Sequence, residues 1–108
     1  MACTPDFVQY VIDQCSGAGE VAVKKMMGDY CLYCDGVLFG LLCDNKCYVK
    51  VTEPGWSAQK EPPVLEAPYE GAKAYFLVAD VDDRDALTAL IRATLPALPR
   101  PKLKKRRG

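Results

Sequence analysis

The sequence contains no histidine. Cys–His nucleophilic pairs and Ser–His–Asp triads are therefore excluded, because each uses an imidazole as its base. The chain also lacks a G-x-x-x-x-G-K-[ST] loop, a G-x-G-x-x-G run after a strand and an H-E-x-x-H helix motif. Nucleotide binding and zinc-protease chemistry thus have no basis in the sequence. We expect a non-enzymatic protein with no cofactor.

Long apolar runs are missing as well. No stretch approaches the ~18 apolar residues of a membrane span, and the N-terminal MACTPDF lacks the basic and apolar regions of a leader. We therefore expect a cytoplasmic protein without membrane contact. The composition, 50% apolar and 26% charged, is typical of a folded globular chain, and 108 residues correspond to one domain.

A net charge of zero conceals an uneven distribution. The last nine residues, RPKLKKRRG, contain six of the fourteen basic residues and no acid. Residues 1–99 are left with eight bases against fourteen acids, a net charge of −6. We predict a folded domain over 1–99 and a disordered basic tail over 100–108, which acts as a solvated end or contacts nucleic acid. The candidate contact residues are Lys102, Lys104, Lys105, Arg106 and Arg107.

Two amphipathic helices are predicted, one near each end of the domain. Thr4 and Pro5 form a helix start signal, and apolar residues follow at helical spacing, which predicts a helix over 4–16. A second apolar stripe runs from Leu87 to Leu95. Four acids precede this stripe, and Asp82 or Asp83 is the expected N-cap.

Strand patterns fill the middle of the chain. Asp35-Gly36 is a strong hairpin signal between strands starting at about Tyr30 and covering 37–43, and Asp44-Asn45 suits a second turn before a strand over 47–51. Further strands are predicted over 20–24 and 73–79. We expect a two-layer α+β fold, with the terminal helices packed on an antiparallel sheet of about five strands.

The segment over 52–73 has four prolines and no sustained period. A loop of this length is unusual in a small domain, so it forms either a short helical turn near 56–60 or a packed, functional excursion. Trp56 is either an anchor of this loop to the core or part of a partner surface. We take Trp56 and Tyr69 as candidates for that surface.

Four of the six cysteines lie between residues 31 and 47, in a C-x-x-C and a C-x-x-x-C. This spacing suggests zinc, but the predicted strand from Val37 to Cys43 separates the two pairs by roughly 20 Å at ~3.3 Å per residue. Across the predicted hairpin, Cys31 would face Gly40. A three-residue connection would place Cys43 opposite Cys47, within disulfide range, although a cytosolic setting keeps thiols reduced. Structural thiols are favoured over a metal or redox function, which stays an alternative.

The stretch KKMMGDYCLYCDGVLFGLLCDNKCYVKV, preceded by the helix FVQYVIDQC, resembles the N-terminal domain of the TfoX/Sxy family of bacterial competence regulators. Residues that match the family pattern are Lys25, Met26, Gly28, Tyr30, Leu32, Tyr33, Asp35, Gly36, Phe39, Asp44, Tyr48, Lys50 and Val51. The chain departs from it at Met27, Asp29 and Cys31, where the family tends to have Phe, Gly and Gly.

The resemblance implies helices on one antiparallel sheet, similar to secretion-chaperone-like folds. It also implies a regulatory role in natural competence alongside the cyclic AMP receptor protein, through an unidentified protein partner and without enzymatic activity. It does not extend to the family's C-terminal helical domain. Nucleic-acid association through the tail is the alternative function.

Overall fold

The structure, a computed structural model, describes residues 3–26, 29–59, 62–78 and 80–98. The helices are α1 (Pro5–Cys15), α2 (Glu53–Ser57) and α3 (Arg84–Thr94). The strands are β1 (Val21–Met26), β2 (Asp29–Cys34), β3 (Val37–Cys43), β4 (Lys46–Val49), β5 (Leu65–Glu66) and β6 (Tyr75–Val78). Short 3₁₀ turns follow α1 and α3, at Ser16–Ala18 and Leu95–Ala97. Among the described residues, no helix is long and apolar enough to cross a membrane.

The six strands form one antiparallel sheet in the order β1-β2-β3-β4-β6-β5. The predicted α+β fold is therefore confirmed, with six strands in place of about five. The additional strand, β5, has two residues, which are too few to produce an alternating pattern in the sequence.

Both long helices begin at the predicted caps. The Thr4 side chain accepts a hydrogen bond from the Phe7 amide, and the Asp83 side chain accepts one from Ala86. The apolar stripes of α1 and α3 pack on one face of the sheet, called here the helix face, and form the core with it. The fully buried members of that core include Val11, Cys15, Leu32, Phe39, Leu42, Val49 and Ile91.

The opposite side of the sheet, called here the open face, has a row of side chains across four strands. Register places Cys31 beside Leu41, Leu41 beside Tyr48, and Tyr48 beside Leu77. Because side chains alternate along a strand, this row points away from the core neighbours Leu32 and Leu42. Leu41 and Leu77 are only half-buried, unlike the side chains of the helix face.

The two predicted hairpin turns have two residues each. Asp35 and Gly36 have φ of 52° and 84°, and Asp44 and Asn45 have φ of 55° and 57°. A β-bulge between Leu32 and Tyr33 shifts the first hairpin, so Cys31 faces Leu41 rather than the expected Gly40.

The expected pairing of Cys43 with Cys47 is wrong. The two-residue turn pairs Cys43 with Lys46 and Leu42 with Cys47. Cys47 therefore lies on the helix face with Leu42, while Cys43, one residue further along β3, points to the open face. Thiols on opposite faces of one sheet cannot form a disulfide without moving the backbone.

These turns also hold the two ends of α1. The Asn45 side-chain oxygen accepts a hydrogen bond from the Thr4 amide at 2.9 Å, just before the helix. The Asp35 carboxylate accepts one from the Glu20 amide at 2.9 Å, just after it, and the Asp35 amide donates to the Glu20 carbonyl at 2.8 Å. Since β3 connects the two turns, α1 is fixed along the length of β3.

The segment after β4 forms the short helix α2, which begins at Glu53 rather than near residue 56. The Thr52 side chain caps it by accepting a hydrogen bond from the Gly55 amide at 3.0 Å. Pro54 occupies the first turn, where a missing N–H is tolerated. The Thr-x-Pro pattern is a helix start signal like the one at Thr4-Pro5, and it was available in the sequence.

Candidate interaction surface

Large apolar side chains are exposed around α2. Val51, Trp56 and Leu65 are 43%, 47% and 44% exposed, and Pro54 lies beside them at the surface. We call these four residues the Trp56 patch. The Trp56 ring packs edge-on against Phe76, with ring centroids 6.0 Å apart and planes at 61°. Leu65 is the cross-strand neighbour of Phe76, so the same buried ring supports both exposed side chains.

A groove of about 520 Å³ runs along this patch. Its walls are formed by Val51, Thr52, Glu53, Pro54, Trp56 and Ser57. Glu53 supplies the one carboxylate of that lining, and the remaining walls are apolar or hydroxylic. The groove is therefore suited to apolar side chains accompanied by a positive charge.

The patch is held against the C-terminal end of α3. The Thr52 hydroxyl donates a hydrogen bond to the Thr94 hydroxyl at 3.4 Å. Gly55 is buried, and a Cβ atom there would lie 2.6 Å from the same Thr94 oxygen. This close approach requires glycine and fixes α2 next to the point where the chain leaves α3.

The structure separates the two candidate partner residues. Tyr69 is 54% exposed and lies near Tyr75, whose pKa is raised by burial and, to a smaller extent, by the Tyr69 hydroxyl. Tyr75 and Phe76 are consecutive in β6 and point to opposite faces. Trp56 and Tyr69 therefore do not form one continuous surface. The candidate nucleic-acid residues Lys102, Lys104, Lys105, Arg106 and Arg107 lie outside the described residues.

All six cysteines are buried and carry free thiols. Burial raises the pKa of Cys15 to about 12, and burial also raises the pKa of Cys47. A protonated thiol is a poor nucleophile and a poor metal ligand. Within the described part of the chain, no group of three or more Cys, Asp or Glu side chains is arranged to hold a metal ion.

The open face contains a partly buried hydrogen-bonded contact that the sequence did not predict. The Tyr48 hydroxyl donates to the Glu66 carboxylate at 2.6 Å, and the Lys46 ammonium lies 3.3 Å from the same oxygen. The Tyr48 bond, and secondarily Lys46, lower the pKa of Glu66. Burial, and secondarily Glu66, raise the pKa of Tyr48. The pair is thus held as a neutral phenol and a carboxylate, which is a structural contact rather than an acid–base site.

The segment between β5 and β6 adds a second contact on the same face. The Cys43 thiol donates a hydrogen bond to the Pro68 carbonyl at 3.3 Å. Partners separated by 18 and 25 residues leave no local pattern, so neither contact could be predicted from spacing.

The sequence is similar to known proteins over most of its length. A sequence model of the TfoX N-terminal domain matches residues 13–98. A protein of Spirochaeta aurantia, described as an uncharacterized 12.7 kDa protein in the trpE 5′ region, is 37% identical over 106 residues. The alignment covers 97% of this chain and 91% of that protein.

Proposed function

The chain belongs to the TfoX N-terminal domain family, and we propose that it acts in the cytoplasm as a non-enzymatic regulatory module that binds a protein partner. The observation that supports this function is the Trp56 patch. Three large apolar side chains of this patch are each more than 40% exposed, and two of them, Val51 and Trp56, line a groove. Exposed apolar side chains that line a groove are typical of interaction sites, and tryptophan is enriched among residues that dominate binding energy.

Family membership favours regulation of natural competence as the setting for this interaction. The proposal assigns binding to Trp56 and its neighbours, and no catalytic step to any residue. The partner is expected to insert an apolar side chain along the indole, with a positive charge near Glu53.

Affinity capture from the native lysate, quantified by mass spectrometry, tests this proposal. Trp56→Ala should reduce retention of the specific partner at least about tenfold, as expected for an interface anchor. Tyr69→Ala is the matched control, since it removes an aromatic ring of similar exposure on the other face. Retention of the same partners by the Trp56→Ala variant would refute the assignment of the surface. Turnover of a small substrate by a chain that retains no partner would refute the function.

Nucleic-acid association is the second candidate function, because six of the last nine residues are basic and none is acidic. Five contacts to phosphate, from Lys102, Lys104, Lys105, Arg106 and Arg107, predict a log–log salt slope of roughly −4 to −5. Replacing all five with Gln in the full chain should abolish this dependence. Replacing Lys24 and Lys25 of β1 with Gln is the control, and unchanged retention of nucleic acid by the tail variant would exclude the tail.

A further inference from the structure

We propose that the groove of the Trp56 patch is the docking site for the chain's own basic C-terminal segment, residues 99–108, which covers the patch until a partner displaces it. This inference rests on the proposed function, since it assigns a regulator to the same surface. The occupant follows from where the segment starts, from its charge and from its apolar residues.

The last residues of α3, four positions before the end of the described chain, contact the helix that lines the groove. The C-terminal end of α3 contacts α2 through Thr94, which accepts a hydrogen bond from Thr52 and closely approaches Gly55. A 3₁₀ turn follows, and Leu98 packs against the core. Residues 99–103 can extend roughly 17 Å at ~3.4 Å per residue, so they can reach from Leu98 across a five-residue helix, which is about 7.5 Å long.

Charge complementarity favours this segment as the occupant. Glu53 lies in the groove wall, and the ion pair formed among the described residues is Lys46–Glu66, which leaves Glu53 without a salt bridge there. Arg100 and Lys102 follow Leu98 in the sequence by two and four residues. A cation can lie over the exposed Trp56 indole face while it is attracted to the Glu53 carboxylate.

The apolar residues of the segment match the remaining walls. Leu103 is the one aliphatic side chain among residues 99–108, and Val51 and Pro54 offer an apolar wall of comparable size. Pro99 and Pro101 restrict the backbone around them to extended conformations, which reduces the entropy lost on docking. A tethered segment also has an effective concentration in the millimolar range, so weak contacts are sufficient for substantial occupancy.

Docking would link partner binding by the Trp56 patch to polyanion binding by the basic segment. When residues 99–108 occupy the groove, both Trp56 and the basic residues are withheld from partners. A polyanion that captures the segment would expose the patch, and a partner that takes the patch would release the basic residues. The two binding events are then coupled in the same direction, as linkage requires.

Trp56 is the single tryptophan of the chain, so its fluorescence reports directly on the groove. We would measure acrylamide quenching of the full-length protein and of a variant with Arg100→Glu, Lys102→Glu and Leu103→Ser. The expected result is stronger quenching in the variant, and a similar increase in the wild type at high salt. Lys24→Glu with Lys25→Glu on β1, at the far edge of the sheet, makes the same charge change and should leave quenching unaltered.

Glu53→Gln provides a second variant on the groove side. Loss of one exposed ion pair should lower the ratio of docked to free segment roughly two- to fivefold. Identical quenching of the wild type and the triple variant would overturn the proposal. Protection of Trp56 from quenching that increases with protein concentration would also overturn the proposal, because the groove would then be occupied by a second copy of the chain.

These measurements use the isolated protein, so they separate the two proposals. If the segment does not protect Trp56 from quenching, the docking proposal is refuted, but the proposal that the patch captures a partner is unaffected. If the segment protects Trp56 from quenching but no partner is captured, the docking proposal is supported and the proposed function is refuted.

Discussion

On the helix face of the sheet, Phe39, Leu42 and Val49 are fully buried beneath two amphipathic helices. On the open face, Tyr48 is only 2% exposed, yet its hydroxyl is hydrogen-bonded to a carboxylate on the edge strand. The first face is stabilised by apolar area, which depends little on pH. The second depends on the charge of Glu66 and on a segment that contributes few buried side chains, so the two faces should respond differently to substitution, chemical labelling and pH.

The largest difference is expected from truncating one apolar side chain on each face. Phe39→Ala should lower the free energy of unfolding by about 3–5 kcal/mol, because the ring is fully buried and its cavity cannot collapse completely. Leu41→Ala, at a half-buried position of the open face, should cost about 1–2 kcal/mol. Urea denaturation followed by circular dichroism measures both values, and equal losses would contradict the distinction between the faces.

Thiol labelling should divide the cysteines between the two faces. Cys15, Cys34 and Cys47 lie in the helix-face core, whereas Cys43 is covered on the open face by the segment that includes Pro68. Local opening of that segment should let Cys43 react roughly a hundredfold faster than the core thiols, which require global unfolding. Burial raises the pKa of Cys43 to about 11, so its labelling should also accelerate as pH rises toward that value.

Pulse labelling with a maleimide and peptide mass spectrometry resolves the individual sites. Cys43→Ser removes the rapidly labelled peptide and is the control for its assignment. A common rate for all the thiols would show that both faces open together.

A smaller effect is expected where the helix layer is tied to the sheet. Asn45→Ala should cost about 1–3 kcal/mol, because it removes the acceptor for the Thr4 amide and places a Cβ-bearing residue without local hydrogen bonding at φ 57°. Asn45→Gly removes the same acceptor but accepts that φ, so it should cost less. The difference in urea midpoint between the two variants isolates the backbone contribution, and a larger loss for glycine would contradict it.

Features that depend on neighbouring residues could be predicted from the sequence better than contacts between residues far apart in the chain. The helix caps at Thr4 and Asp83 and both hairpin turns depend on neighbouring residues, and their patterns are visible in the sequence. A three-residue second turn would place Cys43 opposite Cys47, whereas the observed two-residue turn pairs Cys43 with Lys46. An error of one residue moves a side chain to the other face of a sheet.

Non-local features were not predictable in the same way. The strand at Leu65–Glu66 pairs with β6, and Tyr48 and Lys46 contact the Glu66 carboxylate; no periodicity in the sequence marks these contacts. The role of Trp56 in a partner surface stays a prediction; its ring packs on Phe76, 20 residues further along the chain, and Tyr69 lies toward the other face. Local chemistry thus identified the turns and caps, and tertiary contacts determined which exposed aromatic residues share a surface.

The smallest predicted effect concerns the pH dependence of the open face. The folded-state pKa of Glu66 lies below its ordinary 4.5, chiefly through the Tyr48 hydroxyl, so its contribution is present above that pH and is lost as pH falls through the folded value. The folded-state pKa of Tyr48 lies above its ordinary 10.0, chiefly through burial, so its contribution is present below that pH and is lost as pH rises toward the folded value.

Tyr48→Phe removes the pH-dependent contributions of both Tyr48 and Glu66, because it removes the hydroxyl that joins them, while it keeps the buried ring. The variant should therefore be slightly less stable than the wild type at neutral pH, and its stability should change less with pH below 4.5 and above 10.0. Urea midpoints measured from pH 3 to 11 give the pH profile of stability. Lys46→Gln should flatten only the acid limb of this profile, and less than Tyr48→Phe does, because Lys46 is the secondary cause of the lowered pKa of Glu66. Phe39→Ala should lower the whole profile without flattening it, because apolar packing involves no proton. A Tyr48→Phe profile that is merely displaced downward would show that the open face, like the helix face, is stabilised by area alone.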